Sequence, residues 1–480
     1  MKTTLLSSFL ISSFLCINAQ ANSGLELKEL FYLTDQQSSI PVDSWLPSFA
    51  KNFSRGIAVS GNNLYIPVRG TEELMGQGVY RLNATTGQYI STLPLDDASG
   101  KRVITGGDFL INDVVTSEDG AIYVCNMAID ARLNKWVKET EKWMPNKDGK
   151  LFKIYKYATP ESFPEEFLSF DASAHPTTQG TAKNNILRFG DGITFSGSSQ
   201  QGRLIAVPEN SGLRDRCYEW SVKEGALSSA DPQVIFFHNE FEESAIKPGV
   251  GKYGRVYTGF EQETYIEKGT QSGDSEIRPR QFKIGKRDSK GWAYAPLCGM
   301  VSESNALRNG LGNTAYPFSY GDRKYLACVD YANAVNGSAD ARGVIIDVTD
   351  FDNSFEVFRT PRSLGNQYLN GTDGVAVKIN KDGFNVYFLS SKNGIAAYSY
   401  VNPNVGIEEI SDNRNFGLSI EADRISFSEK IRSVKIYQIQ SGMEIASDTD
   451  CSGVTVNMKG AFLVRCILSD GHVVNKRVIL

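Results

Sequence analysis

Between residues 54 and 400 the chain repeats one rhythm, and that rhythm limits the fold more than any other feature. A polar or glycine start leads into an apolar run, a Gly/Asn/Asp turn, a second β-rich run and a further strand. The first copy reads Arg55-Gly56-Ile57-Ala58-Val59, turns at Gly61-Asn62-Asn63, and continues Leu64-Tyr65-Ile66-Pro67-Val68 and Gly78-Val79-Tyr80-Arg81-Leu82. The second runs Asn112-Asp113-Val114-Val115, Glu118-Asp119-Gly120, Ala121-Ile122-Tyr123-Val124-Cys125 and Lys150–Tyr155. The third begins Asp191-Gly192-Ile193-Thr194-Phe195 and carries Arg203–Val207. A later copy has Asn313-Thr314-Ala315-Tyr316, Gly321-Asp322, Lys324–Cys328 and Gly343–Val348, and the last has Asp373-Gly374-Val375-Ala376-Val377, Lys381-Asp382-Gly383, Phe384–Leu389 and Gly394–Tyr398.

β-rich runs split by Asp-Gly and Asn-rich turns are a hairpin signal. Four-strand units at a period of roughly 50–60 residues suit propeller blades better than helical repeats. The stretch between Asp191 and Asn313 has room for two units, the second starting near Gly254-Arg255-Val256-Tyr257. The expectation is an all-β chain with a six-bladed β-propeller over residues 22–400. Seven blades is the alternative, if Trp292–Met300 belongs to an extra sheet. Leu25–Leu33 alternates as a strand without a sheet of its own and is expected to join the last unit, which leaves no long free edge. An array of β-sandwiches is the rival architecture, but the Cys/Trp/Cys spacing of immunoglobulin domains is missing.

The N-terminal segment reads as an address. Lys2 gives a positive start, Leu5–Ile17 is a short apolar run, and Ala19-Gln20-Ala21 is a small-x-small cleavage site, so residues 1–21 are expected to be a signal peptide. Lipid attachment at Cys16 is the alternative, disfavoured by bulky Leu15 in front of it. Removing Lys2 takes the formal charge from −5 to about −6, a balance that argues against a nucleic-acid partner, which calls for a basic face. No apolar run of about 18 residues follows the N-terminus, so no transmembrane helix is expected in the mature chain. With 11% aromatic and 22% charged residues the chain can bury a core. Six cysteines remain after cleavage, too few for a disulfide scaffold. Cys125 and Cys328 fall inside strand-like runs and read as buried thiols, whereas Cys451 and Cys466 share a short module and form the disulfide candidate.

Residues 25–400 resemble the secreted six-bladed propellers, including the gluconolactonase-like and NHL-like groups, on phrases such as Asn112-Asp113-Val114-Val115 followed by Gly120-Ala121-Ile122-Tyr123-Val124. In the gluconolactonase-like group, carboxylate and amide side chains in the channel hold a divalent metal. That resemblance makes Asn112, Asp191 and Asp373 the metal candidates, with Ca²⁺ the cation considered. A turn-rich linker, 401–406, separates a module of short strands over 407–480. Val434-Lys435-Ile436-Tyr437, Ser441-Gly442, Lys459-Gly460-Ala461-Phe462-Leu463-Val464 and the terminal Lys476-Arg477-Val478-Ile479-Leu480 resemble the C-terminal sorting domains of type IX (Por) secretion. The expectation there is a small β-sandwich that engages secretion or envelope machinery.

The repeats align one residue at the start of each inner strand: Arg55, Asn112, Asp191, Asn313 and Asp373. Inner strands of a propeller line its channel, so these side chains are expected to converge near one mouth. Oxygen-rich convergence suits Ca²⁺ or a sugar, but an arginine at the first position opposes a cation and favours an anionic ligand. The insert Met127–Gly149 carries Trp136 and Trp143, either a local core or a rim that stacks on a ligand.

Other catalytic signatures are poor. His175 and His472 have no metal-type partner three or four residues on, and neither a His-Glu-x-x-His nor a Gly-x-Ser-x-Gly motif occurs. Gly249-Val250-Gly251-Lys252-Tyr253-Gly254 matches the dinucleotide glycine pattern, but it leads into a strand where the mechanism needs a helix. The resulting expectation is an exported binding protein in the periplasm, at the surface or outside the cell, with a glycan or protein ligand. The alternative is a metal-dependent hydrolase or lactonase acting in the channel.

Overall fold

The computed structural model describes residues 25–34, 55–69, 77–137, 139–173, 188–208, 216–239, 256–258, 264–270, 280–288, 291–294, 311–330, 341–350, 354–365, 373–391, 393–402, 417–421, 423–438, 444–471 and 473–479. Within them every regular element is a strand, and no helix is long and apolar enough to cross a membrane. The signal segment 1–21 with Cys16, the linker residues 403–406, Cys298, His175, His472 and Gly249–Gly254 lie outside the described residues. Contacts divide the chain into two compact units, one of Met1–Lys378 and Val386–Tyr398, the other of Ile379–Asn385 and Ser399–Leu480.

The first unit holds six groups of four strands in chain order. Sheet I comprises Ala58–Ser60, Asn63–Val68, Gly78–Asn83 and Tyr89–Thr92. Sheet II comprises Phe109–Thr116, Ile122–Met127, Phe152–Tyr157 and Glu165–Phe170. Group III (Ile193–Gly197, Gln201–Ala206, Arg216–Lys223, Gln233–Asn239) and group IV (Val256–Thr258, Thr264–Thr270, Arg280–Asp288, Gly291–Tyr294) are fused. The last strand of each pairs with the other in parallel, and with Ala226–Leu227 they form one nine-stranded sheet. Gly291–Tyr294 thus belongs to group IV and not to a sheet of its own. Sheet V comprises Leu311–Tyr320, Arg323–Asp330, Arg342–Asp347 and Phe355–Arg359.

Sheet VI has three late strands, Asp373–Asn380, Gly383–Ser390 and Gly394–Val401, and its fourth is the N-terminal Lys28–Thr34 beside Gly394–Val401. The turns are built on glycines with positive φ, such as Gly61 (55°) between the first two strands of sheet I and Gly120 (91°) in sheet II, a backbone region cheap only for glycine.

Successive sheets share apolar cores. Tyr65 and Val79 of sheet I pack with Val114, Tyr155 and Tyr157 of sheet II. Tyr123, Phe152 and Phe170 of sheet II pack with Phe195, Tyr218 and Trp220 of group III, where the Tyr123 and Phe195 rings stack at 4.3 Å. Phe31, Leu33, Tyr387 and Leu389 of sheet VI pack with Leu64 and Ile66 of sheet I, so the last sheet meets the first. Each such buried side chain contributes about 1.5–3 kcal/mol.

The second unit holds a five-stranded sheet: Leu418–Glu421, Arg424–Gln438, Ala461–Leu468 and Val473–Ile479 in that order, with Glu444–Thr455 also on Arg424–Gln438. Short strands are expected throughout 407–480, but Arg424–Gln438 is one 15-residue strand. No Gly or Pro interrupts residues 428–432, and a register shift between Ser426 and Ile431 absorbs the bend. Ile425, Ile436, Phe462 and Val464 are in its core. The expected Cys451–Cys466 bridge is corrected: both are free thiols. Ile431 pairs with Cys451 on one side and with Leu468, in the strand of Cys466, on the other. The cysteines therefore sit on two strands that flank Arg424–Gln438 from opposite sides and are not paired with each other. Burial pushes the Cys466 thiol up to about 12. Cys125 and Cys328 are both buried.

Candidate ligand-binding site at the inner strand ends

The aligned residues stand near the starts of the first strands, Arg55 before Ala58–Ser60, Asn112 within Phe109–Thr116, Asp191 before Ile193–Gly197 and Asp373 at the head of Asp373–Asn380, and the pairing near two of those starts is irregular. In sheet II pairing skips from Phe109 to Asp113, and in sheet V from Leu311 to Ala315. Asn112 and Asn313 stand in those skipped stretches. Bulges of this kind re-aim side chains next to functional sites.

Three of the aligned residues meet in one buried network. Arg55, from before sheet I, donates from Nη1 to Asp191 Oδ1, and both side chains are buried. Arg188 donates from Nε to Asp191 Oδ2 and from Nη2 to Oδ1, each at 2.6 Å, a two-pronged grip on one carboxylate. Asn112 donates from Nδ2 to the Gly190 carbonyl, while its Oδ1 accepts from Arg69 Nε at 2.7 Å and from Arg69 Nη2. Arg69 lies at the end of the second strand of sheet I, its guanidinium carbon 4.0 Å from the Phe109 ring centroid, a cation–π distance. Burial pushes the Asp191 carboxyl up, but the charges of Arg55, Arg188 and Arg69 outweigh it and hold the group below the usual carboxylate range.

Neighbouring starts are tied as well. Asp113, fully buried, accepts the Ile193 N–H at Oδ2, 2.7 Å. A Cβ on Gly56 would clash with that carboxylate and come within 2.8 Å of the Val114 nitrogen, so only glycine fits there. Thr314 Oγ1 donates to the Asp373 carbonyl at 3.3 Å, and Gly374 lies against Ile57. Asp373 is itself buried, and Asn313 lies on the strand Leu311–Tyr320.

The donor set does not fit a divalent cation. Ca²⁺ takes six to eight oxygens, whereas both Asp191 oxygens and the Asn112 oxygen already accept from guanidinium groups. Among the described residues no group of three or more His, Cys, Asp or Glu is placed to hold a metal ion. Arg69 and Arg188 were not singled out by the sequence. Arg188 stands three residues before Asp191, which was its one local cue.

The insert after Ile122–Met127 forms a two-stranded hairpin, Asn134–Val137 with Lys142–Pro145, and its register sets Trp136 opposite Trp143. Trp143 is 36% exposed and Met144 44%, so Trp143 is no local core. The hairpin base is clamped. Arg132 donates to Asp130 from Nε at 2.7 Å, and Asn146 Nδ2 donates to Asp130 Oδ2 at 3.2 Å and to the Arg132 carbonyl at 3.1 Å. Its root adjoins the arginine network. Ala128 and Phe189 exchange backbone hydrogen bonds at 3.0 Å, and Met127 Sδ accepts from Arg69 Nη2 at 3.6 Å.

No family model matches the chain, and none of the curated proteins is similar to it. Among solved structures it is similar to a DUF4623 family protein from Bacteroides eggerthii, with a TM-score of 0.52, 14% identity, 80% of this chain covered and 83% of that one. At that identity the likeness speaks to fold alone. It is also similar to a protein of unknown function from Dyadobacter fermentans (TM-score 0.42, 10% identity, 78% of this chain and 99% of that one). An alpha-l-arabinofuranosidase from Fusarium graminearum, in complex with an iminosugar inhibitor, gives 0.43, 10%, 79% and 98%. The last two are too distant to carry an argument.

Proposed function

We propose that the first unit is a six-bladed β-propeller of an exported binding protein, with its ligand site at the inner strand ends that carry Arg55, Asn112 and Asp191. The propeller reading is supported by a cyclic run of neighbours among the inner strands. Thr116 Oγ1 of sheet II donates to the Val59 carbonyl of sheet I, Ile193 of group III to Asp113 of sheet II, and Thr314 of sheet V to Asp373 of sheet VI. Val256–Thr258 contacts both Ile193–Gly197 and Leu311–Tyr320. Gly374 of sheet VI meets Ile57 just before sheet I, which returns the run to its start.

Binding rather than metal-dependent hydrolysis is favoured by one observation: Asp191 is held from both oxygens by arginines. A cation there would meet three guanidinium charges instead of free oxygen donors. Export rests on the N-terminal segment 1–21, and the C-terminal module is proposed to act in sorting through secretion or envelope machinery. A glycan array with the purified mature chain tests the binding reading. Saturable binding without turnover, unchanged by EDTA, is expected. Ca²⁺-dependent release of product would overturn it in favour of the hydrolase. Deleting 407–480 tests sorting separately, since unchanged cellular location would remove that role.

A further inference from the structure

Two features share one end of the first unit. One is a pair of arginines, Arg55 and Arg188, bonded to the Asp191 carboxylate, with a third, Arg69, on the neighbouring Asn112. The other is a clamped hairpin that carries an exposed indole and is rooted next to that set. Arg188 stands one residue before Phe189 and Asp191 two after it, and Phe189 is backbone-paired to Ala128, near the start of the hairpin insert. A Cβ on Gly190 would clash with the Asn126 carbonyl, and its φ of 93° favours glycine there. The hairpin root and the Arg188–Asp191 segment therefore hold one another in place.

The arginines present carboxylate-recognition geometry. Arg188 grips Asp191 side-on with two parallel N–H donors, and Arg55 adds a third donor to the same group. A planar fork of this kind matches a carboxylate better than a point anion. Asp113, on the adjoining strand, is committed to the Ile193 amide. Arg188 is the most exposed of the ion-pair members, at 17% of its side chain against 7% for Arg55 and 4% for Asp191. Of the three it is the one a ligand reaches first.

We propose that this end recognises an acidic glycan, with the carboxylate of a uronic-acid residue engaging Arg188 and Arg55 while Trp143 stacks on a sugar face. Asp191 then acts as an internal stand-in that keeps the forks aligned until the ligand carboxylate takes a share of them. The inference rests on the binding reading above and adds the ligand class.

The test uses the full mature chain and isothermal titration with an oligogalacturonate, beside a neutral gluco-oligosaccharide of equal length and an Asp/Glu-rich peptide. The oligogalacturonate is expected to bind, with the neutral glycan and the peptide at least about tenfold weaker. Arg188→Gln is expected to weaken oligogalacturonate binding by about tenfold or more, as when a charge-assisted fork is lost. Arg188→Lys, which keeps the charge but not the fork, should fall between them. The wild-type titration stands on its own if a variant fails to fold. Equal binding of the acidic and neutral glycans, or tighter binding of the peptide, overturns the inference and leaves the binding reading intact. No binding of any array glycan or peptide by a folded chain overturns both.

Discussion

Two aspartates on the same hairpin of sheet II tie it to group III, at opposite ends and in opposite surroundings. Asp113 is buried and accepts the Ile193 amide. Asp119 stands in the exposed turn and accepts from the Ser199 amide at 2.7 Å, the Ser199 hydroxyl at 2.6 Å and the Ser117 hydroxyl at 2.6 Å. Partial burial opposes the charge of Asp119, but these donors overcome it and bring its carboxyl to about 2. The exposed end makes more bonds, yet water can replace each of them. At the buried end a lost partner leaves a polar group stranded. Inter-sheet polar ties therefore matter for stability at the arginine end and only modestly at the turn end.

That contrast can be broken by substitution, and the expected effects run from large to small. Asp191→Ala should be the most damaging, because it strands Arg55 and Arg188 around a vacated carboxylate. Breaking a buried pair costs about 3–5 kcal/mol, read as a lowered denaturation midpoint. Asp113→Ala leaves the Ile193 N–H without its acceptor and should cost about 1–3 kcal/mol by urea unfolding.

Asp119→Ala should cost only about 1 kcal/mol, after allowance for solvent screening. Its folded carboxyl lies below its ordinary 3.8 at about 2, so its contribution is present above pH 4 and is lost as the pH falls from about 4 to 2. In the variant, that part of the acid sensitivity should vanish. A cost for Asp119→Ala equal to that for Asp113→Ala would erase the contrast. Trp143→Ala should change stability by less than about 0.5 kcal/mol while reducing glycan binding, since the ring is exposed.

Much of the fold was legible because hairpins advertise themselves locally. Gly61, Gly120 and Asp382-Gly383 mark turns that any backbone of this shape needs, and the inner-strand starts at Arg55, Asn112 and Asp191 could be aligned from them. The N-terminal strand was legible too, as an alternating run without a sheet. Partners distant in sequence were not. Arg69 meets Asn112 across 43 residues and Arg55 meets Asp191 across 136, and no local pattern encodes such meetings. Asn112 and Asp191 looked plausible as bare oxygen donors, and only the arginines around them show those oxygens already in use. Trp143 fell to the same problem, since a tryptophan in an insert reads as core until its exposure is seen. The fusion of groups III and IV through their last strands, paired in parallel, left no trace in the turn pattern.

The most direct test is a double-mutant cycle on Arg55 and Asp191, with Arg55→Met, Asp191→Leu and the pair compared by equilibrium unfolding. If the starts of sheet I and group III meet at a common axis, the two substitutions should couple by about 1–3 kcal/mol. Costs that add to within about 0.3–0.5 kcal/mol would mean the residues do not touch, and would contradict the shared site.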